Sequence, residues 1–357
     1  MIKLLIVDDS ALMRRQLMNL FQAEGDFEVR PARNGDEAVR ENRDFQPDVV
    51  TLDINMPEMD GLTALSLIMA ERPVAVVMVS SLTNEGALAT FEALNLGAVD
   101  YIAKPGGTIS LSIDRITEEL VAKVRAAARA RPRGKASVAA TVARRMQEER
   151  KKAAAAASAL AAPRAVGDGL LVVGASTGGP RALEIVLSGL PATFPWPVLV
   201  AQHMPAAFTR AFAERLNQCC ALQVVEAASA LPVEAGKIYV ARGGADMVLA
   251  SRAGRLTVLP MPENSKYLWH PSVELLGRSV LEHYDAKRVT AVLLTGMGYD
   301  GSDAFAEIKK RGGRTIAESE ESAVVYGMPA ELVARGGASL VLAVEKVASQ
   351  LSIWAGR

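Results

Sequence analysis

Short apolar segments alternate with amphipathic segments in two blocks of the chain, and a stretch rich in alanine and arginine separates the blocks. Segments such as KLLIVDD, DVVTLDI, GLLVVGAS and RVTAVLLTG are rich in β-branched residues and largely apolar. Strands of this kind, alternating with helices, form parallel sheets that helices cover on both faces. The sequence therefore predicts two α/β domains, each built on a doubly wound parallel sheet.

The first domain is predicted over residues 1–116 and the second over residues 167–357. A chain of 357 residues fits this division, because one domain ordinarily takes roughly 150 residues. Residues 117–166 favour helix through their alanine, lysine and arginine, but Pro132 and Gly134 interrupt any long helix and little apolar stripe is available for burial. We predict a linker there.

The formal net charge is zero, yet residues 125–164 hold eleven Lys and Arg against two Glu. A basic stretch can bind nucleic acid or anionic lipid, but this one is diluted by alanine and has no aromatic residue to stack on bases. We favour a solvated linker over a binding segment and expect no nucleic-acid partner.

The two cysteines, Cys219 and Cys220, are neighbours in sequence. A disulfide between neighbours is strained and a metal site needs more ligands, so a reducing compartment fits best. The N-terminal run MIKLLIV stops at Asp8 and is far shorter than the roughly 20 apolar residues of a membrane span. We expect a cytoplasmic protein without membrane insertion.

Charged residues follow three of the predicted strands in the first block. Asp8 and Asp9 follow the first strand, Asp53 the third and Lys104 the fifth. The carboxyl ends of parallel strands lie along one edge of a doubly wound sheet, so these side chains should meet. Carboxylate oxygens suit Mg²⁺, and the ion and Lys104 would balance charge while Asp53 attacks a phosphorus atom. The alternative is a set of solvated carboxylates at strand ends.

The motifs IVDDS, TLDINMPEMDG, VMVSS and YIAKP make residues 1–108 resemble a response-regulator receiver domain. The resemblance implies a flavodoxin-like fold, a Mg²⁺ ion in the acidic pocket, and phosphorylation of Asp53 by a chemotaxis-type histidine kinase. It also implies roles for the residues around Asp53: Asp8 and Asp9 in the acidic pocket, a backbone carbonyl of Asn55 on the metal, Ser80 as hydroxyl switch, Tyr101 as rotating aromatic, and Lys104 on the phosphoryl group.

In the second block, Ser176 lies in GASTGGP, between a predicted strand and a predicted helix. Gly174 and Gly178 complete the pattern GxSxG, which permits a sharp turn that exposes the hydroxyl. The pattern alone is weak, because dinucleotide-binding folds contain similar turns. The next strand, however, ends in Gln202 and His203 rather than in an acidic ribose ligand.

A serine nucleophile needs a base, and the base needs a third group to orient it. Of the three histidines, His203 ends a strand at the edge where Ser176 lies, His283 resembles an exposed helix residue, and His270 fits a binding or structural role better than catalysis. Asp300 is the candidate acid, and its alternative role is to cap the helix that begins near Ser302. The order serine, histidine, aspartate differs from that of α/β-hydrolases, in which the acid precedes the histidine.

The motifs GASTGGP, QHMP, HPSVE, LLTGMGYDG, GGRTIAE and YGMP make residues 169–338 similar to the methylesterase domain of the CheB family. The resemblance implies that Ser176 is the nucleophile, His203 the general base and Asp300 the orienting acid. It further implies that the Met297 backbone N–H binds the oxyanion and that Thr177 contributes nearby.

The same resemblance implies hydrolysis of glutamyl methyl esters on the cytoplasmic helices of chemoreceptors, with release of methanol and without a cofactor for this step. It also implies deamidation of receptor glutamines. The unphosphorylated receiver is expected to cover the site, and phosphorylation to expose Ser176.

The chain departs from the family pattern at Arg242, Asp246 and Glu274. These positions flank the three candidate catalytic residues, so we expect them to bear on receptor preference. They also keep open a different class of function, a non-catalytic adaptor of an accessory chemosensory pathway. A third hypothesis, a nucleotide-dependent oxidoreductase, is disfavoured by the missing acidic ribose ligand.

Overall fold

The computed structural model describes residues 1–80, 83–104, 113–130 and 168–356. The chain forms two compact units, Met1–Arg145 and Met146–Arg357. Most of the predicted linker, residues 131–166, lies outside the described residues, so the boundaries of that linker stay a prediction. Within the described ranges, no helix combines the length and apolar character that a membrane span needs.

The first unit is built on a five-stranded sheet in which all strands are parallel and the order is β2-β1-β3-β4-β5. Its strands are β1 (Ile2–Val7), β2 (Phe27–Ala32), β3 (Val49–Asp53), β4 (Ala75–Ser80) and β5 (Asp100–Ala103). This is the strand order of flavodoxin-like doubly wound folds. The predicted fold class is confirmed for this unit.

The helices of the first unit begin where polar side chains satisfy free backbone N–H groups. They are α1 (Ala11–Ala23), α2 (Gly35–Asp44), α3 (Gly61–Glu71), α4 (Asn84–Leu96) and α5 (Ile113–Arg129). Ser10, Asn34 and Asp60 each accept a hydrogen bond from the third residue of the helix that follows. Caps of this kind each stabilise a helix by about 1 kcal/mol.

Helix α5 crosses the domain end predicted at residue 116, and that boundary stays a prediction. Helix α5 continues to Arg129, and Leu120, Val121, Val124 and Ala127 on it are buried. Their spacing places them on one face of the helix, which packs against β3, β4 and β5. The sequence prediction assigned this segment to the linker because its abundant alanine and arginine hid a narrow apolar stripe.

The second unit contains a seven-stranded parallel sheet and a small antiparallel sheet. The large sheet has the order β15-β14-β13-β6-β7-β10-β8 and the small one the order β11-β12-β9. The strands are β6 (Leu170–Ala175), β7 (Val198–Gln202), β8 (Gln223–Ala227), β9 (Leu231–Pro232), β10 (Lys237–Ala241), β11 (Asp246–Arg252), β12 (Arg255–Met261), β13 (Val289–Leu293), β14 (Arg314–Glu318) and β15 (Leu340–Leu342).

The predicted α/β fold is confirmed for the second unit, but the antiparallel sheet is an addition that the sequence analysis did not foresee. The segment RLTVLP forms β12 and pairs with β11 across a two-residue turn at Ala253 and Gly254. Both turn residues have positive φ, +48° and +74°. Tight hairpins favour such turns because their twist matches that of the strands.

Helices cover the large sheet and define its core. They are α6 (Gly179–Ser188), α7 (Ala206–Cys219), α8 (Val273–His283), α9 (Ser302–Lys310), α10 (Met328–Ala334) and α11 (Val344–Trp354). Leu276 and Val280 of α8 and Phe305 of α9 are completely buried in one apolar cluster with residues of β6, β7 and β13. This packing fixes the start of α8 beside the carboxyl ends of the central strands.

Substitution of Val124 by alanine tests whether α5 belongs to the first domain. Loss of two buried methyl groups should lower the free energy of unfolding of that domain by about 2 kcal/mol. Hydrogen exchange of first-domain peptides in the full chain, followed against urea, measures this change. Arg129→Ala at the exposed end of the same helix serves as control, and equal behaviour of the two variants would contradict the assignment.

Candidate functional site

Ser176 occupies a tight turn between β6 and α6. Gly178 has φ +76°, and a Cβ atom built on it would lie 2.6 Å from the Cβ atom of Val324. The backbone N–H of Gly179 donates to the Ser176 carbonyl at 2.7 Å. Glycine is therefore required here by both conformation and space, and Ser176 is 9% exposed at the end of the strand.

His203 follows the neighbouring strand and lies beside Ser176 along the sheet edge. Strands β6 and β7 are parallel with Ala175 opposite Gln202. The His203 backbone N–H donates to the Ala175 carbonyl at 3.1 Å, and neighbouring strands lie about 4.8 Å apart. The Gln202 amide ties the pair together, because its Nε2 donates to the carbonyls of Ser176 at 3.0 Å and His203 at 2.9 Å.

The carboxylate of Asp300 joins the imidazole of His203 to the beginning of α8. Nε2 of His203 lies 2.8 Å from Oδ2 of Asp300. The same carboxylate accepts hydrogen bonds from the backbone N–H groups of Val273 at 2.6 Å and Glu274 at 2.9 Å, and from the Ser272 hydroxyl at 3.0 Å. A helix N-terminus is a favourable place for an anion.

These contacts decide the ionisation state of Asp300. Burial acts to raise the pKa of its carboxyl, but the bond to His203 and the amides of Glu274 and Val273 lower the pKa below its ordinary value. Asp300 is therefore a carboxylate at neutral pH. The His203 Nε2 atom must then carry a hydrogen and donate it to Asp300.

The surroundings of one face of the His203 ring and of its Nδ1 atom are also defined. The ring stacks on the indole of Trp269 with centroids 5.6 Å apart and an interplanar angle of 4°. Trp269 in turn meets Tyr299 edge to face at 5.3 Å. Nδ1 of His203 is buried and has no hydrogen-bond partner in the described protein, which leaves this nitrogen available to accept a proton.

Two groups near Ser176 are candidates for binding a negatively charged oxygen: the Thr177 hydroxyl and the Met297 backbone N–H. The Thr177 hydroxyl is buried and has no hydrogen-bond partner among the described residues. A Cβ atom on Gly296 would lie 2.6 Å from the Cβ atom of Ser176, so the chain passes very close to the serine just before Met297. Thr295 fixes this approach, because its carbonyl accepts from Ser176 N at 3.0 Å and its hydroxyl donates to the Thr177 carbonyl at 2.9 Å.

The other two histidines have different partners from His203. His270 contacts Asp246, with Nδ1 3.0 Å from both carboxylate oxygens. His283 is exposed at the end of α8.

The three positions that depart from the family pattern have different environments. Arg242 is exposed and Asp246 is buried. Glu274 accepts a hydrogen bond from the Ala304 backbone N–H at 2.8 Å and so links α8 to the first turn of α9. Burial raises the pKa of the Glu274 carboxyl, which its bonds to Ala304 and Arg278 oppose.

In the first unit, Asp8, Asp9 and Asp53 meet as predicted. Their carboxylates each place an oxygen within 4.8 Å of the others. The Lys104 ammonium lies 2.6 Å from Oδ2 of Asp53 and 3.1 Å from Oδ2 of Asp8. Burial raises the pKa of Asp53, and Asp8 adds to the shift while Lys104 opposes it.

The donor atoms of this cluster fit Mg²⁺. All are carboxylate oxygens, which this ion prefers, and one of the three residues, Asp9, is exposed to solvent, as suits an ion that keeps several waters. Oδ2 of Asp8 is buried and forms an ion pair with Lys104, but it accepts no hydrogen bond from the residues that the structure describes. A cation between these carboxylates would satisfy that oxygen and reduce the repulsion between the acids.

The remaining predicted residues of the first unit lie on strands of the same sheet or just after one of them. Asn55 is exposed, and its backbone N–H donates to Oδ1 of Asp53 at 3.3 Å. Ser80 ends β4, where its carbonyl accepts from the Lys104 backbone N–H at 2.7 Å and its hydroxyl donates to the Gly86 carbonyl at 3.1 Å. Tyr101 is buried on β5, and the Lys123 ammonium lies 5.3 Å from its ring centroid.

The two units therefore define a class of protein: an α/β module with an acidic pocket suited to Mg²⁺, joined to an α/β module in which a serine and a histidine follow adjacent strands and a carboxylate contacts the histidine. Residues 171–351 match the family described as CheB methylesterase, and residues 4–113 match the response regulator receiver domain. The chain belongs to the CheB methylesterase family and carries a receiver domain before the methylesterase domain.

Similar proteins cover the chain over its whole length. A protein-glutamate methylesterase/protein-glutamine glutaminase of Rhodospirillum rubrum is 55% identical across all of this chain and 97% of the relative, and one from Caldanaerobacter subterraneus is 47% identical across 98% and 95%. The crystal structure of the Thermotoga maritima CheB methylesterase catalytic domain is 35% identical, covers 53% of this chain and 100% of that domain, and has a TM-score of 0.51. Family membership favours an enzyme over the non-catalytic adaptor.

Sequence reasoning did not identify three residues that shape the site. Trp269 stacks on His203, Ser272 bonds Asp300, and Gln202 ties the two strand ends together. In the sequence, Gln202 served only to show that an acidic ribose ligand is missing. The hydrogen bonds of its amide to the carbonyls of Ser176 and His203 were not predicted. No spacing rule links Trp269 to His203, since the two residues are brought together by the fold.

Asp300→Asn tests the ionisation of the buried carboxylate. The folded-state pKa of Asp300 lies below its ordinary value, so its contribution to stability should be complete above about pH 5 and disappear as the pH falls through the folded-state value. The variant should lose on the order of 2 kcal/mol of unfolding free energy at neutral pH, and the difference from the parent should shrink in acid. Urea denaturation between pH 3 and pH 7, with exposed Asp168→Asn as control, measures both; a difference independent of pH would contradict the assignment.

Proposed function

We propose that this chain is a phosphorylation-activated protein-glutamate methylesterase that acts on the cytoplasmic helices of chemotaxis receptors. The observation that carries the proposal is that Ser176 and His203 follow adjacent parallel strands and that His203 contacts the Asp300 carboxylate, in a member of the CheB methylesterase family. The names of its close relatives support the same substrate chemistry.

In the proposed mechanism, Asp300 holds the His203 imidazole in one tautomer. The proton on Nε2 is donated to Asp300, so the lone pair is on Nδ1. This nitrogen removes the proton of the Ser176 hydroxyl, and the resulting imidazolium is stabilised by the Asp300 carboxylate. In chymotrypsin, Nδ1 of the histidine bonds the aspartate and Nε2 acts on the serine. In the mechanism proposed here the two nitrogens have the opposite partners, while the roles of the three residues are the same.

Ser176 Oγ forms a bond to the carbonyl carbon of a glutamyl methyl ester. His203 then returns its proton to the departing methoxide, which leaves as methanol and gives an acyl-enzyme. Water, activated by the same imidazole, hydrolyses this ester to a glutamate side chain and regenerates Ser176. The chemistry uses no metal or cofactor.

The Met297 backbone N–H and the Thr177 hydroxyl are proposed to bind the oxygen that becomes negative in each tetrahedral intermediate. Thr177 suits this role because its hydroxyl is buried and has no hydrogen-bond partner within the part of the chain that the structure describes. A preorganised donor of this kind contributes roughly 10²- to 10³-fold to the rate. A primary amide passes through an analogous intermediate and releases ammonia, so deamidation of receptor glutamines is proposed at the same site.

The receiver domain is proposed to control this activity. A histidine kinase of the chemotaxis type supplies the phosphoryl group, Asp53 forms the new bond to phosphorus, and the bond from phosphorus to the kinase imidazole breaks. Asp8, Asp9, Asp53 and the Asn55 carbonyl would hold Mg²⁺, which when bound neutralises charge on the phosphoryl oxygens. Lys104, already 2.6 Å from Asp53, is placed to contact the phosphoryl group.

Ser80 and Tyr101 are proposed to respond to the phosphoryl group, since both lie on strands next to the pocket. The proposed compartment is the cytoplasm, where receptor helices and the kinase are accessible.

Replacement of Ser176 by alanine removes the proposed nucleophile. Methanol release from a methylated receptor fragment should fall by at least about 10³-fold. Gas chromatography of the released methanol measures the loss, and Ser349→Ala, at an exposed position of α11, should retain the parental rate. Retained activity in the Ser176 variant would remove this residue from the mechanism.

Asp53→Ala tests the regulatory part. Addition of a small-molecule phosphoryl donor with Mg²⁺ should raise methanol release by the parent and leave the variant unchanged, since the variant has no acceptor carboxylate. The control is Asp44→Ala, at an exposed carboxylate on α2, which should respond as the parent does. A variant at position 53 that is stimulated equally would show that phosphorylation of this residue does not control the enzyme.

A further inference from the structure

A second buried aspartate lies next to the proposed catalytic site and binds the segment that leads into α8. Asp246, at the start of β11, is 1% exposed. Its carboxylate accepts hydrogen bonds from the backbone N–H groups of Asn264 at 3.0 Å and Ser272 at 2.8 Å, and lies 3.0 Å from Nδ1 of His270 through both oxygens. One side chain therefore holds the β12–α8 segment, residues 262–272, at three points.

This segment carries Trp269, the residue that stacks on the His203 ring. His270, the next residue, is one of the three attachments to Asp246. An imidazole with a single hydrogen bond can tilt about that bond. A planar indole on one face opposes the tilt and keeps Nδ1 of His203 in one direction.

The same segment ends at the residues that bind Asp300. The Ser272 backbone N–H donates to Asp246, while its hydroxyl and the amides of Val273 and Glu274 donate to Asp300. The two carboxylates thus share the N-terminus of α8: Asp246 accepts from the Ser272 N–H, and Asp300 accepts from the Ser272 hydroxyl and the next two N–H groups. A shift of this terminus would displace Asp300 and, through it, His203.

We propose that Asp246 is a positioning residue for the esterase reaction, because it fixes both Trp269 against His203 and the start of α8 against Asp300. This inference rests on the proposed function, in which His203 and Asp300 act on Ser176. Asp246 contacts neither residue directly, and its effect passes through His270 and Ser272.

The carboxylate is needed for its two acceptor oxygens. Oδ1 accepts from Ser272 and Oδ2 from Asn264, and His270 faces both. An asparagine has nearly the same shape, but its NH₂ group would face one of these N–H donors in either orientation. Asp246→Asn therefore loosens the β12–α8 segment without opening a cavity.

The experiment compares the full-length parent with Asp246→Asn. With methylated receptor fragment as substrate, kcat should fall by about 10- to 100-fold through misplacement of His203, and KM should change less than about twofold. A control with a purely structural loss is Tyr239→Phe, since the Tyr239 hydroxyl is buried in the same unit and bonds only the Pro232 carbonyl at 2.7 Å and the Glu234 amide at 2.9 Å. This control should lower stability and leave kcat unchanged.

A second measurement does not depend on activity. The chain has three histidines, so the carbon-bound ring protons of His203 can be assigned by NMR from a His203→Gln spectrum. Stacking on Trp269 moves these signals through the ring current of the indole. In Asp246→Asn they should move toward their positions in Trp269→Leu, whereas Tyr239→Phe should leave them in place.

The two measurements separate the possible failures. Unchanged kcat and unchanged His203 signals in Asp246→Asn overturn the proposal, and so does a loss of stability alone, as in Tyr239→Phe. If the parent releases no methanol, the proposed function fails, and the NMR comparison still decides whether Asp246 holds Trp269 against His203. Should Asp246→Asn fail to fold, His270→Gln removes one attachment at a partly exposed position, and it must give the same direction of change in kcat and in the His203 signals.

Discussion

The second domain depends on one buried carboxylate at the beginning of one helix. Burial acts to raise the pKa of Asp300, but the bond to His203 and two backbone amides of α8 lower it below its ordinary value, and the Ser272 hydroxyl also donates to this carboxylate. The ionised carboxylate then sets the tautomer of His203. The apolar core around Leu276 and Phe305 keeps α8 beside the strand ends. The packing of this helix therefore also places the amides that bind Asp300.

The receiver domain contains a buried carboxylate, Asp53, whose pKa is shifted in the opposite direction from that of Asp300. At Asp53, burial and the neighbouring Asp8 outweigh Lys104, and the pKa rises. Among the described residues, the Asn55 amide donates to Asp53 from the backbone. A pocket of this kind stabilises its charges best with a bound cation, which suits the proposed role of Asp53 in accepting a phosphoryl anion, whereas the proposed role of Asp300 is to hold an imidazole.

Much of the fold was predictable because the apolar pattern is local. Continuous apolar runs indicated buried parallel strands, and the polar residues at their ends indicated which side chains share an edge. Prediction from the apolar pattern failed where apolar residues were sparse or where their pattern fitted more than one strand arrangement. The apolar stripe of α5 is hidden among alanine and arginine, and the antiparallel pair β11 and β12 has the composition of any short strand, so that only its pairing distinguishes it.

The sequence by itself determined the two α/β domains, the acidic pocket, and the candidacy of Ser176, His203 and Asp300, because each follows from strand ends or from motifs read along the chain. Tertiary structure alone decided which nitrogen of His203 meets Asp300, that Trp269 and Ser272 contact this pair, and that Asp246 binds the segment that carries them. Asp246 and His270 are 24 positions apart and belong to a hairpin and a connecting segment. Their meeting depends on long-range packing, which no local period in the sequence encodes.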